Sequence, residues 1–396
     1  MGIFCLCYTG SIENFTKRTS IIVALGFILI ALICLLFSVI GFVTRRPLVV
    51  RRSVVLREQP VTPPTAYVPR TRTYFIAAEN VTWDYAPAGK DSYTNEPLPS
   101  PWGDQTKYAK VRYIEYTDQT FTVKKPQPAW IGIMGPVIRA VEGDTIKVVF
   151  YNKADKPYSV HPHGLHYDKD SEGASMIMAP DATMGDAMPK AVNNGMEGLG
   201  ASVLPGEKFT YTWFALSDSA PQPNEGGSKV WWYHSHVDSV QDVYDGLLGP
   251  IIVTSAKHAK PDGTPDDVDK EFVTMFMIFD ESKPGMTVAQ KEASMKHTIN
   301  GYMFDNLPGL TMTEGDRVRW YLLGMGNEMD VHTPHWHGGV VLNRESNTYT
   351  DVVELLSGSM KTVDMVADNP GLWMYHCHVF DHIKAGMVAM YTVLKK

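Results

Sequence analysis

Beyond about residue 73 the chain reads as short β-branched and aromatic runs, such as "DTIKVVFYN", "KFTYTWFAL", "GPIIVT" and "DRVRWYLLG", separated by turn residues. Apolar positions at helical spacing are largely absent, and this pattern predicts β-sandwiches. The pattern also repeats. "VEGDTIKVVFYN" leading to "VHPHG" is echoed by "TEGDRVRWYLLG" leading to "HTPHWHG", and "KVWWYHSHVDSVQDVYDGLLGPIIVT" by "GLWMYHCHVFDHIKAGMVAMYTVL". Each half runs from an acidic-Gly turn through a strand, a histidine cluster and a long connection to an aromatic-H-x-H and a closing strand. Two homologous sandwiches are therefore predicted, residues 73–256 and 270–396, joined by a polar linker at 257–269. Two copies are too few for a solenoid, so each must be a complete domain.

One segment breaks the β pattern. Residues 21–43, "IIVALGFILIALICLLFSVIGFV", carry no charge and exceed the roughly 20 residues that cross a bilayer as a helix. The run is too long for a signal-peptide core, which predicts a retained single-pass anchor behind a short tail, residues 1–20. Residues 44–72, rich in Arg, Pro and Thr, read as an extended stalk. Orientation signals oppose one another. Arg45, Arg46, Arg51, Arg52 and Arg57 outweigh Lys17 and Arg18 on the positive-inside rule, whereas Gly2, Cys5 and Cys7 are acylation candidates that would keep the N-terminus cytosolic. Asn14 and Asn80 head glycosylation triplets on opposite sides of the run. The expectation is a membrane protein with its sandwiches extracellular or lumenal.

Composition adds two constraints. A net charge of -7 argues against nucleic acid as a partner. Cys5, Cys7 and Cys34 lie in or before the apolar run, so Cys377 stands alone downstream and no intrachain disulfide can staple the sandwiches.

Ten of the 13 histidines fall in four clusters: His161 and His163; His234 and His236; His332, His335 and His337; His376, His378 and His382. On a strand, positions i and i+2 face one side, so each H-x-H pair aims two imidazoles at one point. A lone pair would more often be a satisfied polar pair; four pairs, two in each repeat, point to metal. Imidazole suits copper, zinc, iron and nickel alike, and Cys377 decides among them. A thiolate, two imidazoles and a weak thioether make the blue-copper site that favours electron transfer. Cys377, His382 and Met387 supply three of those ligands, with His332 as the fourth. If Cys377 points into its sandwich, His376 and His378 point out of the other face, so one peptide joins two metal sites.

The wording around these clusters, "HPHGLHYDKDSEGA", "WWYHSHVDS", "GMGNEMDVHTPHWHG" and "HCHVFDHIKAGM", resembles the multicopper oxidases, and within them the ceruloplasmin and hephaestin type, over about residues 73–396. The resemblance implies an all-β architecture of two cupredoxin-like Greek-key sandwiches and a trinuclear copper centre that reduces dioxygen to water. Carried over by position, His161 and His335 would hold the type 2 copper. His163, His234, His236, His337, His376 and His378 would hold the type 3 pair, and His332, Cys377, His382 and Met387 the type 1 ion, four coppers per chain. In the first sandwich Ser235 replaces the cysteine and Val240 the type 1 histidine, so no blue copper is expected there.

The resemblance also implies an electron donor. Glu292, His297 and Asp381 match carboxylates and a histidine that bind Fe(II) beside the type 1 site, and Glu328 matches a glutamate serving a neighbouring unit's site. A ferroxidase is the expectation, with Fe(II) and O2 as substrates and an iron permease as a further partner. The rivals on the same scaffold are a cuprous oxidase, for which Met176, Met178, Met184, Met188 and Met196 offer soft thioethers, and a laccase-like phenol oxidase. Because two domains cannot close the ring of larger relatives, a homotrimer is expected, in which neighbouring subunits share each trinuclear centre.

Overall fold

The computed structural model describes residues 67–174 and 198–396. The expected tail and anchor, all but the last residues of the stalk, and the methionines from Met176 to Met196 lie outside the described residues. Among the described residues no helix is long and apolar enough to cross a membrane.

Strands dominate, as the alternation predicts. The first half contributes β1 (Thr71–Asp84), β2 (Lys107–Tyr116), β3 (Ile138–Val141), β4 (Thr145–Asn152), β5 (His161–Pro162), β6 (His166–Tyr167), β7 (Lys208–Phe214), β8 (Ser228–His234) and β9 (Leu248–Thr254). They form one sheet in the order β2-β1-β4-β7-β6 and a second in the order β3-β9-β8-β5. The second half contributes β10 (Lys270–Asp280), β11 (Met295–Ile299), β12 (Thr311–Thr313), β13 (Arg317–Gly324), β14 (Pro334–Trp336), β15 (Val341–Asn343), β16 (Thr348–Thr350), β17 (Met360–Val366), β18 (Gly371–Cys377) and β19 (Val388–Leu394). Their sheets run β11-β10-β13-β17-β15-β16 and β12-β19-β18-β14. Strand for strand the two topologies coincide, with β16 added at one edge. Even the parallel pairs recur, β1 with β4 and β10 with β13, β3 with β9 and β12 with β19. The sequence repeat is thus a structural one, and the fold is the expected all-β, cupredoxin-like one. Short helices, Gln241–Asp245, Val288–Ser294 and Phe380–Lys384, fill connections too brief to show a 3.6-residue period.

Each sandwich closes over its own core. Ile146, Val148, Phe150, Tyr211, Trp213 and Tyr233 fill the first, and Phe276, Trp320, Leu322, Trp336, Tyr375 and Tyr391 the second. A third apolar layer lies between them. β10, "KEFVTMFMIFD", is buried on both faces: Phe272, Phe276 and Ile278 point into its own sandwich, while Val273, Met275, Met277 and Phe279 meet Val230, Trp232, Leu248 and Ile252 of the first. This explains why that strand reads as a continuous apolar run instead of an alternating one. The sandwiches therefore pack within one compact unit, Pro64–Lys396.

The linker is strapped down. Asp267 accepts from Arg319 at 2.7 and 3.1 Å and from the Gly227 backbone at 2.8 Å, and Asp269 pairs with Arg317. Arg319 itself is fully buried in the layer between sandwiches, bonded also to both carboxylate oxygens of Asp364 and to Ser228.

Candidate metal centre

β18 sets the site through its alternation. Trp373, Tyr375 and Cys377 face the core of the second sandwich, and His376 faces away from it. Antiparallel pairing with β14 places Pro334 opposite Cys377 and His335 opposite His376. The first sandwich repeats this, with His161 of β5 opposite His234 of β8.

On the core side, His332, Cys377 and His382 bring their donor atoms within 4.8 Å of one another, all three buried. Cys377 Sγ lies 3.4 Å from His382 Nδ1 and 3.9 Å from His332 Nδ1, and the two Nδ1 atoms are 3.2 Å apart. Met387 is fully buried in the same core, and its backbone carbonyl accepts the Cys377 N–H. The chain reaches it through the helix Phe380–Lys384 and a turn at Gly386, where φ is +103° and a Cβ would meet the Phe304 ring at 2.8 Å. Glycine is the residue that tolerates this conformation. Burial opposes ionisation of Cys377, but hydrogen bonds to His332, His382 and the Thr333 amide outweigh it and hold the thiol down to about 6. A thiolate and two imidazole nitrogens in a buried group, with a thioether in the same core, fit copper, and the soft sulfur is what distinguishes this set from an oxygen-rich hard-cation site.

Asp330 was not singled out by the sequence. It is fully buried, its carboxylate sits 3.0 Å from His332 Nε2, and it accepts the amides of Ile278 and Asn327. A carboxylate on Nε2 fixes the tautomer that leaves Nδ1 free towards Cys377, the usual arrangement behind a metal-binding histidine. Burial alone would lower the His332 pKa; the Asp330 bond prevails and raises it.

On the outer side, His335, His337 and His376 form a second group within 4.8 Å, with His337 Nε2 and His376 Nε2 3.0 Å apart. The His378 ring lies 5.2 Å from His335 and 5.5 Å from His376. In the first sandwich His163 Nε2 approaches His234 Nε2 at 3.1 Å, and the His161 ring lies 5.3 to 5.6 Å from those of His163, His234 and His236. Backbone carbonyls orient four of the rings. His161, His234, His335 and His376 direct Nδ1 at the carbonyls of Glu172, Ser235, Asp351 and Cys377, leaving each Nε2 for a metal. Burial, reinforced by neighbouring imidazoles, pushes His163 and His376 to about 4 and His234 to about 3. All three are neutral imidazoles at physiological pH. Among the described residues, every ring contact between these eight histidines stays within one sandwich.

The counterpart of the Cys377 pocket in the first sandwich has different chemistry. Ser235 donates to Asp242 at 2.6 Å, Leu247 occupies the Met387 position, and Val240 is exposed. Burial pushes Asp242 up to about 7. No soft donor set exists there.

The residues expected to bind iron are placed less tightly. His297, on β11, is buried with its ring 5.1 Å from that of His382 and with Nδ1 lacking a partner; burial and the neighbouring His382 push it down to about 3. Glu292 lies exposed on the helix Val288–Ser294, Asp381 exposed on the helix that carries His382, and Glu328 exposed in the loop before Asp330. These four form no group with mutual donor distances below 4.8 Å.

Family models described as multicopper oxidase match residues 114–188 and 279–396. The chain is 37% identical over 353 residues to the human protein Ferroxidase HEPHL1, 36% over 366 residues to mouse Hephaestin and 34% over 351 residues to human Ceruloplasmin. These alignments cover 82 to 84% of the chain but only 29 to 32% of the relatives, so the chain spans less than a third of the curated proteins it matches. Among solved structures, one described as a multicopper oxidase superposes with a TM-score of 0.55 at 20% identity, covering 82% of this chain and 89% of that one. The Blue Copper Oxidase from Nitrosomonas europaea gives 0.52 at 22% identity, covering 83% and 86%. Both likenesses concern the fold.

Proposed function

Because the chain belongs to the multicopper oxidase family, we propose that it is a ferroxidase, oxidising four Fe(II) singly to Fe(III) and passing the four electrons, with four protons from solvent, to dioxygen, which leaves as two waters. His332, Cys377, His382 and Met387 would hold the type 1 copper. His161 and His335 would hold the type 2 ion, and His163, His234, His236, His337, His376 and His378 the type 3 pair. Copper, when bound, supplies the one-electron acceptor at the first site and the dioxygen chemistry at the second. The observation that carries this reading is a single peptide, His376-Cys377-His378, whose thiol joins a buried soft-donor group while its imidazoles join the histidines outside the core. Covalent bonds through that peptide link the two sites. Asp330 and the four backbone carbonyls hold the imidazole tautomers that leave the ligating nitrogens free.

Fe(II) as donor is supported by the names of the relatives and by His297, whose unpartnered Nδ1 lies on a ring packed against His382. Glu292, Asp381 and Glu328 would add oxygen ligands, which favour ferric over ferrous iron. Replacing Glu292 and His297 together by Ala is expected to cut kcat/KM for Fe(II) by about a hundredfold. Oxidation of a bulky organic donor should stay near wild type. Equal losses on both donors would overturn the iron reading, and faster turnover of Cu(I) or a phenol than of Fe(II) in the wild type would move the function to those donors.

Assembly follows from the same histidines. Each sandwich carries half of the twelve-ligand plan's outer set, four imidazoles apiece, and among the described residues the halves make no ring contact. A closed homotrimer would bring the first sandwich of one copy to the second sandwich of the next. The outer face of β18 is available for this: Leu372 is 64% exposed, whereas its counterpart Val230 on β8 is buried between sandwiches. Sedimentation of the copper-loaded protein should give a trimer, and a fully loaded, active monomer would exclude it. The anchor at residues 21–43, with the sandwiches extracellular or lumenal, completes the proposal.

A further inference from the structure

We infer that Lys296 is a positioning residue for Fe(II) oxidation, tying the helix that carries Glu292 to a seat built by the first sandwich. The inference rests on the ferroxidase reading above. Lys296 lies on β11 immediately before His297 and is fully buried. Its ammonium donates to the carbonyl of Ala293 at 2.8 Å and to that of Trp102 at 2.9 Å, and it stands 5.5 Å from the Tyr108 ring centroid. Ala293 follows Glu292 in the helix Val288–Ser294, while Trp102 and Tyr108 belong to the first sandwich.

That helix has 7 residues and is too short to be stable by itself. Thr287 and Gln290 close its N-terminus as a capping box. Its C-terminal end leaves carbonyls without intrahelical donors, and a cation there satisfies one of them and suits the helix dipole. Glu281, a carboxylate whose charge acts on Lys296, is already taken by Lys110 and by the Tyr85 hydroxyl at 2.5 Å. The Lys296 ammonium is thus spent on two backbone carbonyls, one from each sandwich. Burying an ammonium for packing alone is costly, and an apolar side chain would fill the space with less penalty. The placement makes sense where the position of the next residue along each branch, Glu292 and His297, has to be held.

The test uses copper-loaded, full-length protein and the variants Lys296→Met, which removes the donors, and Lys296→Gln, which keeps a neutral donor. In Lys296→Met, amide hydrogen exchange across residues 288–294 should accelerate and KM for Fe(II) should rise about tenfold. The blue absorption and kcat for a bulky organic donor should stay within about twofold of wild type. Lys296→Gln should recover most of both changes. A Lys296→Met protein with wild-type exchange and wild-type KM for Fe(II) overturns the inference, as does an equal loss on the organic donor, which marks a merely structural lysine. If Lys296→Met fails to fold, a Lys296→Gln protein with wild-type exchange but raised KM overturns it too. Failure of the ferroxidase reading is distinguished in the wild type, which would then show no preference for Fe(II) over the organic donor.

Discussion

Replacing Cys377 by Ser should abolish both the blue absorption and turnover, lowering kcat by at least about a thousandfold on every donor. The thiolate is the one soft anionic donor of the group, and a sulfur–copper bond there would be the source of colour and of rapid electron acceptance. A serine hydroxyl stays protonated at neutral pH and is a hard donor. The first sandwich already shows what such a pocket needs: Ser235 is satisfied by Asp242 at 2.6 Å. In the second sandwich His382 stands at the Asp242 position, its carbonyl accepting the Met387 amide as that of Asp242 accepts the Leu247 amide. The new hydroxyl would therefore meet His332, His382 and the amide and hydroxyl of Thr333 instead of a carboxylate. The fold should survive, because the two side chains are close in volume and the surrounding core of Phe276, Tyr375 and Met387 is unchanged. Metal analysis should find the variant short of one copper per chain, with the outer histidines still loaded. Blue colour retained in the variant, or turnover within tenfold of wild type, would remove Cys377 from the role assigned to it.

The parts of this site that were legible in the sequence are those encoded within a few residues. H-x-H works at the period of a strand, and a cysteine between two histidines necessarily points to the other face, so the two groups on either side of β18 follow from local alternation. Repeating motifs likewise announced two sandwiches. What escaped is encoded by tertiary packing. Asp330 reads as one more loop carboxylate until β10 supplies the Ile278 amide that buries it beside His332. The carbonyls of Glu172 and Asp351 orient His161 and His335, and a backbone acceptor leaves no mark in side-chain identity. Lys296 looks like a solvated charge between Met295 and His297, yet it is fully buried because Trp102 and Tyr108 arrive from nearly 200 residues away. The linker reads only as polar, and Arg319 and Arg317, which turn it into a strap, arrive from the second sandwich.

That strap sets the second large expectation. Replacing Arg319 by Met in the copper-free protein should cost about 3–5 kcal/mol of stability at pH 7, the range for removing one partner of a buried ion network. Arg319 is fully buried and makes paired bonds to both Asp267 and Asp364, plus one to Ser228 of the first sandwich. Asp364 keeps Arg344 at 2.6 Å in the variant, so the cost falls mainly on Asp267, which would retain only the Gly227 amide. The pH dependence identifies the cause. Burial tends to raise the Asp267 pKa, but the Arg319 charge and hydrogen bonds prevail and hold it below the usual carboxylate range. A depressed folded-state pKa stabilises the fold above the unfolded value of about 3.9, and that contribution is lost as pH falls through the folded value. The gap between wild type and Arg319→Met should therefore be full near neutrality and shrink below about pH 4 as Asp267 protonates. Adding Asp267→Leu to Arg319→Met should recover much of the lost stability, because an apolar pair leaves no buried charge unmatched. Denaturant unfolding of the three proteins at neutral and acid pH measures all of this. A gap that does not change with pH would place the destabilisation in lost packing between the sandwiches and not in the charge of Asp267.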